Sequence, residues 1–229
     1  MAQNLTIIFD LDGTLIDTAP DLMIAHNHVM RKFGYETKTT ADIRNLVGKG
    51  AASLITRSVW GRAQKEFNQI DDQKIKKEMV KEFIDYYGKN IAIESKLING
   101  IKQFLDWAKQ NNISMGVCTN KQDYLAVDLL KQIKIYDYFE YVAGGNTFNY
   151  CKPDPRHLTD VIEIMQGKIE KSIMIGDSET DAETARAAGV PFILLENGYT
   201  EKKVSEINHD YLIKDFLGIE EIINKHLNH

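Results

Sequence analysis

Five short, continuously apolar segments alternate with segments of helical periodicity along this chain. The apolar segments are Leu5 to Phe9, Ile113 to Cys118, Phe139 to Ala143, Ser172 to Ile175 and Pro191 to Leu195. Continuous apolarity over about five residues predicts strands that are buried on both faces, as in a parallel sheet covered by helices. Repeated strand, helix, strand units predict an α/β fold with a doubly wound, mainly parallel, Rossmann-like sheet.

Three helices are predicted from apolar residues that recur at helical spacing between these strands. The stripes are Ile101, Phe104, Leu105 and Ala108 before the second strand, Tyr124, Val127, Leu130 and Ile133 before the third, and Leu158, Val161, Ile162 and Met165 before the fourth.

The interval between the first and second strands is far longer than a crossover helix needs. It holds a helical stripe of Leu22, Ala25, Val29 and Phe33, and further helical patterns from Ala51 to Ala63 and from Asp72 to Tyr87. We therefore predict that residues 16–88 form a small all-helical cap insertion. Residues 1–15 and 89–229 then form the α/β core.

Composition narrows the possible function classes. The chain has 229 residues, a length that favours one domain with an insertion, and 28 Lys and Arg against 33 Asp and Glu give a net charge of −5. This mild acidity argues against a nucleic-acid partner, which would need a basic face. No apolar run is long enough to span a membrane, and residues 1–10 lack a basic leader, so we expect a cytoplasmic protein. Cys118 and Cys151 are interpreted as small buried apolar residues.

Candidate catalytic residues follow four of the predicted strands. They are Asp10 and Asp12 in Asp-Leu-Asp-Gly-Thr, Thr119 and Asn120 in Thr-Asn-Lys, Lys152 in Lys-Pro-Asp-Pro, and Asp177 and Asp181 in Gly-Asp-Ser-Glu-Thr-Asp. Ligands bind at the carboxyl ends of the strands in such sheets, so these side chains are expected to converge. Each motif alone is more often a turn, a cap or a solvated pair. Together they supply the groups that an oxygen-liganded Mg²⁺ and a phosphoryl group require.

These four motifs, in this order, resemble those of the haloacid dehalogenase-like superfamily of phosphohydrolases. The matching residues run from Phe9 to Leu15, and include Thr119-Asn120, Lys152-Pro153 and Gly176-Asp177-Ser178 with Asp181. Within the superfamily the chain is similar to phosphoglycolate phosphatase-like proteins with a helical cap. The resemblance covers essentially the whole chain.

The resemblance implies a covalent mechanism on a small phosphorylated metabolite. Asp10 would attack the phosphorus to form an aspartyl-phosphate, and Asp12 would donate and then accept a proton. Thr119 and Lys152 would stabilise charge on the transferring group, and Asn120 would bind substrate.

Mg²⁺ is the cofactor that the resemblance implies. It would be held by the Asp10 and Asp177 carboxylates and by the backbone carbonyl of Asp12, while Asp181 would act through a water or by orienting Lys152.

Substrate choice is expected to lie in the insertion. Arg44 and the glycine-flanked Lys49 stand near a predicted helix start, where they could bind the carboxylate of 2-phosphoglycolate. A loop with solvated charges is the alternative interpretation.

Other functions stay open from the sequence. A sugar phosphate, a nucleotide or pyrophosphate could be the substrate instead, and a mutase or a phospho-accepting signalling module would use similar groups. The presence of Asp12 indicates that the substrate is a phosphate ester and not an organic halide. Asp12 together with the large insertion also argues against the signalling module. The protein is expected to be a monomer or a homodimer.

Overall fold

A six-stranded sheet, parallel throughout, forms the centre of the molecule. The structure, a computed structural model, describes residues 5–61 and 70–227. The strands of the sheet are β1 (Thr6–Phe9), β4 (Ser114–Cys118), β5 (Tyr141–Ala143), β6 (Ser172–Gly176), β7 (Phe192–Leu195) and β8 (Tyr211–Ile213), in the spatial order β5-β4-β1-β6-β7-β8. Two short strands, β2 (Ile16–Asp17) and β3 (Lys96–Leu97), pair antiparallel in a separate sheet.

The five predicted strands are all present, each within two residues of its predicted bounds. The sixth, β8, was not predicted. It has only three residues, and Leu212 at its centre is exposed, so it lacks the continuous apolarity of a strand buried on both faces.

Five helices flank the sheet. They are α5 (Ile101–Gln110), α6 (Asp123–Gln132), α7 (Pro155–Ile164), α8 (Glu179–Ala188) and α9 (Glu220–Leu227). The predicted apolar stripes of α5 and α7 are buried throughout. The stripe predicted for α6 was right for Leu130 and wrong for Tyr124, which is exposed. The buried residues of this helix are Leu125, Ala126, Leu129 and Leu130.

Both faces of the sheet are covered, which confirms the doubly wound α/β arrangement. Alternate residues of β1 point to opposite faces. On one face Phe9 makes edge contacts with Phe104 of α5 and with Phe139. On the other face Ile8 belongs to a second apolar cluster with Leu158 of α7 and Met174 of β6.

The chain between β2 and β3 is helical in the residues that the structure describes. Its helices are α1 (Ala19–Phe33), α2 (Thr40–Arg44), α3 (Gly50–Trp60) and α4 (Ile70–Lys89). The predicted stripe of α1 faces inward, with Leu22, Ala25 and Val29 buried. The helix predicted from Ala51 to Ala63 begins one residue earlier and is described as far as Trp60; Ala63 lies outside the described residues. The short α2 was not predicted.

Candidate active site

Three neighbouring strands deliver buried polar side chains to one edge of the sheet. β4, β1 and β6 are adjacent, and each is followed at once by a predicted site residue, namely Thr119, Asp10 and Asp177. All three are nearly inaccessible to solvent. The backbone N–H of Asp10 donates to the carbonyl of Ile175 at 2.9 Å, which continues the parallel pairing one residue beyond the strand. The strand register therefore brings these side chains together, as the sequence predicts.

Lys152 lies between two carboxylates at the centre of this cluster. Its Nζ is 2.9 Å from Asp10 Oδ1 and 2.6 Å from Asp181 Oδ1, and the lysine side chain is almost fully buried. Burial alone would lower the pKa of Lys152, but the negative charges of Asp10 and Asp181 outweigh it and raise the pKa above its ordinary value. Lys152 is thus a permanent cation beside Asp10.

The carboxylates of Asp10, Asp177 and Asp181 form a compact buried group. Each offers an oxygen, and these oxygens lie within 4.8 Å of one another. Burial raises the pKa of Asp10 to about 6; Lys152 lowers it and the negative charge of Asp181 raises it. Burial, with the charges of Asp181 and Asp10, also raises the pKa of Asp177 well above its ordinary value. Like charges this close in a desolvated site favour binding of a cation.

Asp177 is held from both sides by the chain around it. Its Oδ1 accepts from the Thr14 hydroxyl at 3.0 Å, and its Oδ2 accepts from the backbone N–H of Tyr199 at 2.5 Å. Asp181 closes the other flank, because its Oδ2 accepts from the hydroxyl of Ser178 at 2.7 Å while its Oδ1 contacts Lys152. The β6–α8 junction is therefore a rigid platform for two acids.

Asp12 points to a different set of partners from those of Asp10. Both of its carboxylate oxygens accept from Lys121 Nζ at 2.9 Å, and its Oδ1 also accepts from the Thr18 hydroxyl at 2.6 Å. Its charge still raises the pKa of Asp10, so the two carboxylates interact although they have different hydrogen-bond partners.

Asn120 joins the loop before α3 to the core of the molecule. Its Nδ2 donates to the carbonyl of Gly48 at 3.1 Å and to that of Lys152 at 3.0 Å. Two further contacts link the same helical region to the core. Lys49 Nζ lies 3.7 Å from Glu179 Oε1, and Arg57 forms an ion pair with Glu201.

The two cations predicted to bind substrate lie in different places. Lys49 is half exposed and lines a cavity of about 210 Å³ that also contacts Asp10, Asp12 and Thr119. Arg44 is absent from that lining; its Nη2 is 2.6 Å from Asp17 Oδ2, and its guanidinium lies over the ring of Tyr199.

The cavity is lined by both polar and apolar side chains. Asp10, Asp12, Thr119, Asn120 and Lys121 are among the polar ones. The rest of the lining is largely apolar and comes from α1, α3, α4 and α6, with Leu22, Leu54, Val80, Phe83, Ile84, Tyr87 and Leu125. A small polar molecule that reaches Asp10 is therefore surrounded by groups from both the sheet edge and the helical region.

Several residues of the site were missed from the sequence. Lys121 follows Thr119 and Asn120 directly, so its position at a strand end was visible, but no role was given to it. Tyr199 comes four residues after β7, another strand end, and binds both Asp177 and, through its hydroxyl, Asp17 Oδ1 at 2.5 Å. Tyr87 comes from α4, and no local signal in the sequence links it to the strand ends.

The interpretation of the two cysteines holds for one of them. Cys118 is the buried last residue of β4, and burial raises the pKa of its thiol to about 12, so it behaves as a small apolar residue. The interpretation was wrong for Cys151, which is exposed. Cys151 lies in the loop between β5 and α7, directly before the buried Lys152.

Comparisons with known proteins agree with this geometry. The chain is 38% identical over 223 residues to a phosphoglycolate phosphatase of Agrobacterium fabrum, covering 95% of this chain and 94% of that protein. It is 37% identical over 214 residues to a phosphoglycolate phosphatase of Caulobacter vibrioides, covering 93% of this chain and 88% of that protein. A crystal structure of a predicted phosphoglycolate phosphatase from Haemophilus somnus superposes with a TM-score of 0.87 at 28% identity, covering 97% and 99% of the two chains.

No helix among the described residues has the length and apolar character needed to cross a membrane.

A comparison with a protein-family sequence model leads to the same kind of enzyme. Residues 7–195, which include all the strand-end motifs, match the sequence model of the haloacid dehalogenase-like hydrolases. The chain therefore belongs to the haloacid dehalogenase-like hydrolase family and is a hydrolytic enzyme of the phosphoglycolate phosphatase-like kind.

Proposed function

We propose that this enzyme is a Mg²⁺-dependent phosphatase that hydrolyses 2-phosphoglycolate through an aspartyl-phosphate on Asp10. The observation that carries the proposal is the placement of Asp10 beside Lys152, at 2.9 Å, with Asp177 on the adjacent strand end. A carboxylate nucleophile needs a cation next to it to approach a phosphate dianion, and Lys152 meets that need. The substrate is suggested by relatives named phosphoglycolate phosphatase.

The reaction takes two steps that share one acid and base. In the first, an oxygen of Asp10 bonds to phosphorus while the bond from phosphorus to the glycolate oxygen breaks, and Asp12 gives that oxygen a proton. In the second, a water attacks phosphorus, Asp12 takes the proton from this water, and the Asp10 carboxylate is released with inorganic phosphate. Asp12 must leave one of its contacts with Lys121 and Thr18 to perform the first step.

The residues present fit a magnesium ion. The carboxylates of Asp10 and Asp177, with the backbone carbonyl of Asp12, would hold it, and their oxygen ligands are those that Mg²⁺ prefers. Burial, and after it the neighbouring negative charges, raise the pKa values of Asp10 and Asp177, and the charge of a divalent cation would favour their ionised forms. When bound, Mg²⁺ neutralises charge on the phosphoryl oxygens.

The remaining polar groups hold the phosphoryl group and each other. Lys152 and the Thr119 hydroxyl would donate to phosphoryl oxygens, whose charge must be stabilised during transfer. Asp181 would act as a positioning residue, because it contacts Lys152 at 2.6 Å and fixes the ammonium beside Asp10.

We also propose that residues 16–88 form a cap domain over a core of residues 1–15 and 89–229. The supporting contacts are those of Asn120 with Gly48, both of which line the cavity, and of Arg57 with Glu201; they join the two parts. A cap in this position would exclude water during phosphoryl transfer. Lys49 would then face the cavity from the cap, whereas Arg44 would have to leave Asp17 to reach a substrate.

Release of inorganic phosphate tests the proposal. 2-Phosphoglycolate is compared at matched concentrations with p-nitrophenyl phosphate, a hexose phosphate, a nucleoside monophosphate and pyrophosphate, with and without Mg²⁺. We expect Mg²⁺-dependent release with the highest kcat/KM for 2-phosphoglycolate. The Asp10→Asn variant, prepared in the same way, is the control for a contaminating phosphatase. A higher kcat/KM for another ester would overturn the substrate, and transfer to a second hydroxyl in place of free phosphate would indicate a mutase.

A further inference from the structure

Lys121 is a buried cation that the chemistry described above does not use. Its side chain is only 6% exposed, and its Nζ lies 4.6 Å from the ring centroid of Tyr87. An ammonium group has three N–H donors. The two Asp12 oxygens accept from Nζ, and no other described residue accepts a hydrogen bond from it. One donor of a desolvated cation therefore has no hydrogen-bond acceptor among the described residues, and Lys121 lines the cavity.

Tyr87 provides a second, independent observation. Its side chain is 1% exposed, and its hydroxyl has no hydrogen-bond partner among the described residues. A buried hydroxyl without a partner is costly, and such groups commonly mark a place where a ligand binds. Burial raises the pKa of this hydroxyl well above its ordinary value, and the charges of Asp12 and Asp21 raise it further, so it is a donor at neutral pH.

We propose that Lys121 and Tyr87 together form a subsite for the carboxylate of the substrate. The inference rests on the proposed function, because it assigns the recognition of glycolate to these two residues. Both line the cavity that Asp10 also lines, so a molecule bound by its phosphoryl group at Asp10 occupies the same cavity as these two side chains. A carboxylate has two oxygens, one for the ammonium of Lys121 and one for the hydroxyl of Tyr87.

The surroundings of this subsite make it selective. Leu22, Phe83 and Leu125 also line the cavity and lower the local dielectric, which strengthens an ion pair with Lys121. A substrate without a negative group there leaves one N–H of Lys121 and the hydroxyl of Tyr87 buried without an acceptor. Sites that hydrogen-bond a substrate group reject analogues that lack it more strongly than apolar pockets do.

The other cations near the cavity are less suited to this task. Lys49 is about half exposed and lies near Glu179, so water and salt screen its charge. Arg44 is paired with Asp17 and lies outside the cavity lining. Of these three cations, Lys121 is the one that is both desolvated and close to the reacting groups.

Two esters that differ in one group test the subsite. 2-Phosphoglycolate carries a carboxylate where ethyl phosphate carries a methyl group, and the change in the ratio of their kcat/KM values from wild type to variant cancels the intrinsic difference between the two leaving groups. We expect Lys121→Met to lower this ratio by at least about tenfold, and Tyr87→Phe by about threefold or more. Lys121→Arg, which keeps the charge, should retain more of the preference than Lys121→Met.

Thr18→Val is the matched control. Thr18 is the other side chain that donates to Asp12, but it carries no charge and is not part of the proposed subsite. If Lys121 acted only by positioning Asp12, Lys121→Met would lower kcat/KM by the same factor for 2-phosphoglycolate and for ethyl phosphate. Thr18→Val would likewise affect the two esters equally. The subsite predicts an unchanged ratio in Thr18→Val and a reduced ratio in Lys121→Met.

The outcomes distinguish the subsite from the proposed function. A wild-type enzyme that does not prefer 2-phosphoglycolate over ethyl phosphate would overturn both. A wild-type preference that persists in Lys121→Met and Tyr87→Phe would overturn the subsite alone. If Lys121→Met fails to fold, Tyr87→Phe decides, because loss of a hydroxyl without a partner should leave the thermal unfolding midpoint unchanged.

Discussion

Two glycines allow the backbone to pass directly against Asp177. A Cβ at Gly13 would lie 2.2 Å from Asp177 Oδ2, and a Cβ at Gly198 would lie 2.2 Å from Asp177 Cβ. Gly13 also has a φ of +87°, in the left-handed region that favours glycine. The glycine that follows Asp12 in the sequence is therefore required by the position of an acid on a different strand.

We expect Gly13→Ala to displace Asp177, a proposed Mg²⁺ ligand, and to lower kcat/KM for 2-phosphoglycolate by about a hundredfold or more, since a misplacement of about 1 Å in an active site has an effect of that order. Steady-state kinetics at saturating Mg²⁺ measure it. Gly34→Ala is the matched control, because Gly34 has a φ of +78° and a Cβ there would meet no atom within 4 Å.

Both variants carry the cost of a left-handed alanine, roughly 1 kcal/mol. Equal losses of activity in Gly13→Ala and Gly34→Ala would contradict the account, because backbone strain alone would then explain them.

Individual site residues could be predicted from the sequence where a strand and its polar end are contiguous. Asp10, Thr119 and Asp177 each follow a buried strand directly, so the sheet register brings them together. Tyr87 could not be predicted, because its position over Lys121 depends on how α4 packs against the sheet edge. The partner of Arg44, Asp17, was hidden for the same reason.

At the scale of elements, α8 begins with a capping box that also builds the site. The Ser178 hydroxyl accepts from the backbone N–H of Asp181, and the Asp181 carboxylate accepts from the backbone N–H of Ser178. The same carboxylate contacts Lys152. The start of this helix therefore sets the position of a charge next to Asp10.

We expect Ser178→Ala to lower the free energy of unfolding by about 1 kcal/mol, a typical cost for loss of an N-cap hydroxyl. It should also lower kcat, because Asp181 loses the hydroxyl at 2.7 Å that fixes its Oδ2. Urea denaturation and steady-state kinetics measure the two effects.

Thr39→Ala is the matched control for this helix. Thr39 and Asp42 form the same capping box at α2, on the exposed side of the helical region. This variant should lose stability without losing kcat. Equal changes in kcat for Ser178→Ala and Thr39→Ala would show that the α8 cap has no particular link to catalysis.

Helices and strands could be predicted where their residues show the apolar pattern of a fully buried element. The five strands with continuous apolar residues were found, whereas β8 at the sheet edge was not. The stripe of α6 was misplaced because Tyr124 and Leu125 both fit a helical repeat, and packing selects Leu125. Helix α2 has five residues, too few for a periodic signal.

At the scale of the whole molecule, the stability of the fold depends on a buried neutral histidine. His157 of α7 is fully buried, and its Nδ1 accepts from the backbone N–H of Lys152 at 3.2 Å. Burial lowers the pKa of His157 to about 4, and the charge of Lys152 lowers it further. Below its ordinary pKa of 6.5 the unfolded chain protonates this imidazole, whereas the folded protein does so only near pH 4.

The unfolded state therefore binds more protons in that interval, so the contribution of His157 to stability is lost as the pH falls from 6.5 to 4. Between pH 6.5 and 4, we expect the free energy of unfolding of the metal-free wild-type protein to fall by about 3 kcal/mol more than that of the His157→Asn variant. In the variant, the Asn amide oxygen can replace Nδ1 as acceptor. Urea denaturation at several pH values measures the difference.

Asp10 affects the pH dependence of stability in the opposite direction. Its pKa is raised from 3.8 to about 6 in the folded protein, so between these two pH values the folded state binds more protons at Asp10 than the unfolded state does. Both proteins contain Asp10, so the difference between them removes its contribution. Parallel curves of unfolding free energy against pH for the wild type and His157→Asn would contradict the assignment.

Fold class and family could be inferred from the sequence because the strand-end motifs and the alternation of elements both extend over most of the chain. How the helical region meets the core could not. Its contacts, such as the amide of Asn120 with the carbonyl of Gly48, join backbone and side-chain groups that carry no sequence pattern.

The central claim is that Asp10 is the nucleophile, and trapping its phosphorylated form tests it most directly. The enzyme is mixed with 2-phosphoglycolate and Mg²⁺, quenched in acid within a single turnover, digested, and analysed by mass spectrometry. We predict that one phosphoryl group is found on the peptide that contains Asp10, and that Asp10→Asn neither gains this label nor releases phosphate. Phosphate release by Asp10→Asn at the wild-type rate, or a label on a different residue, would contradict the account.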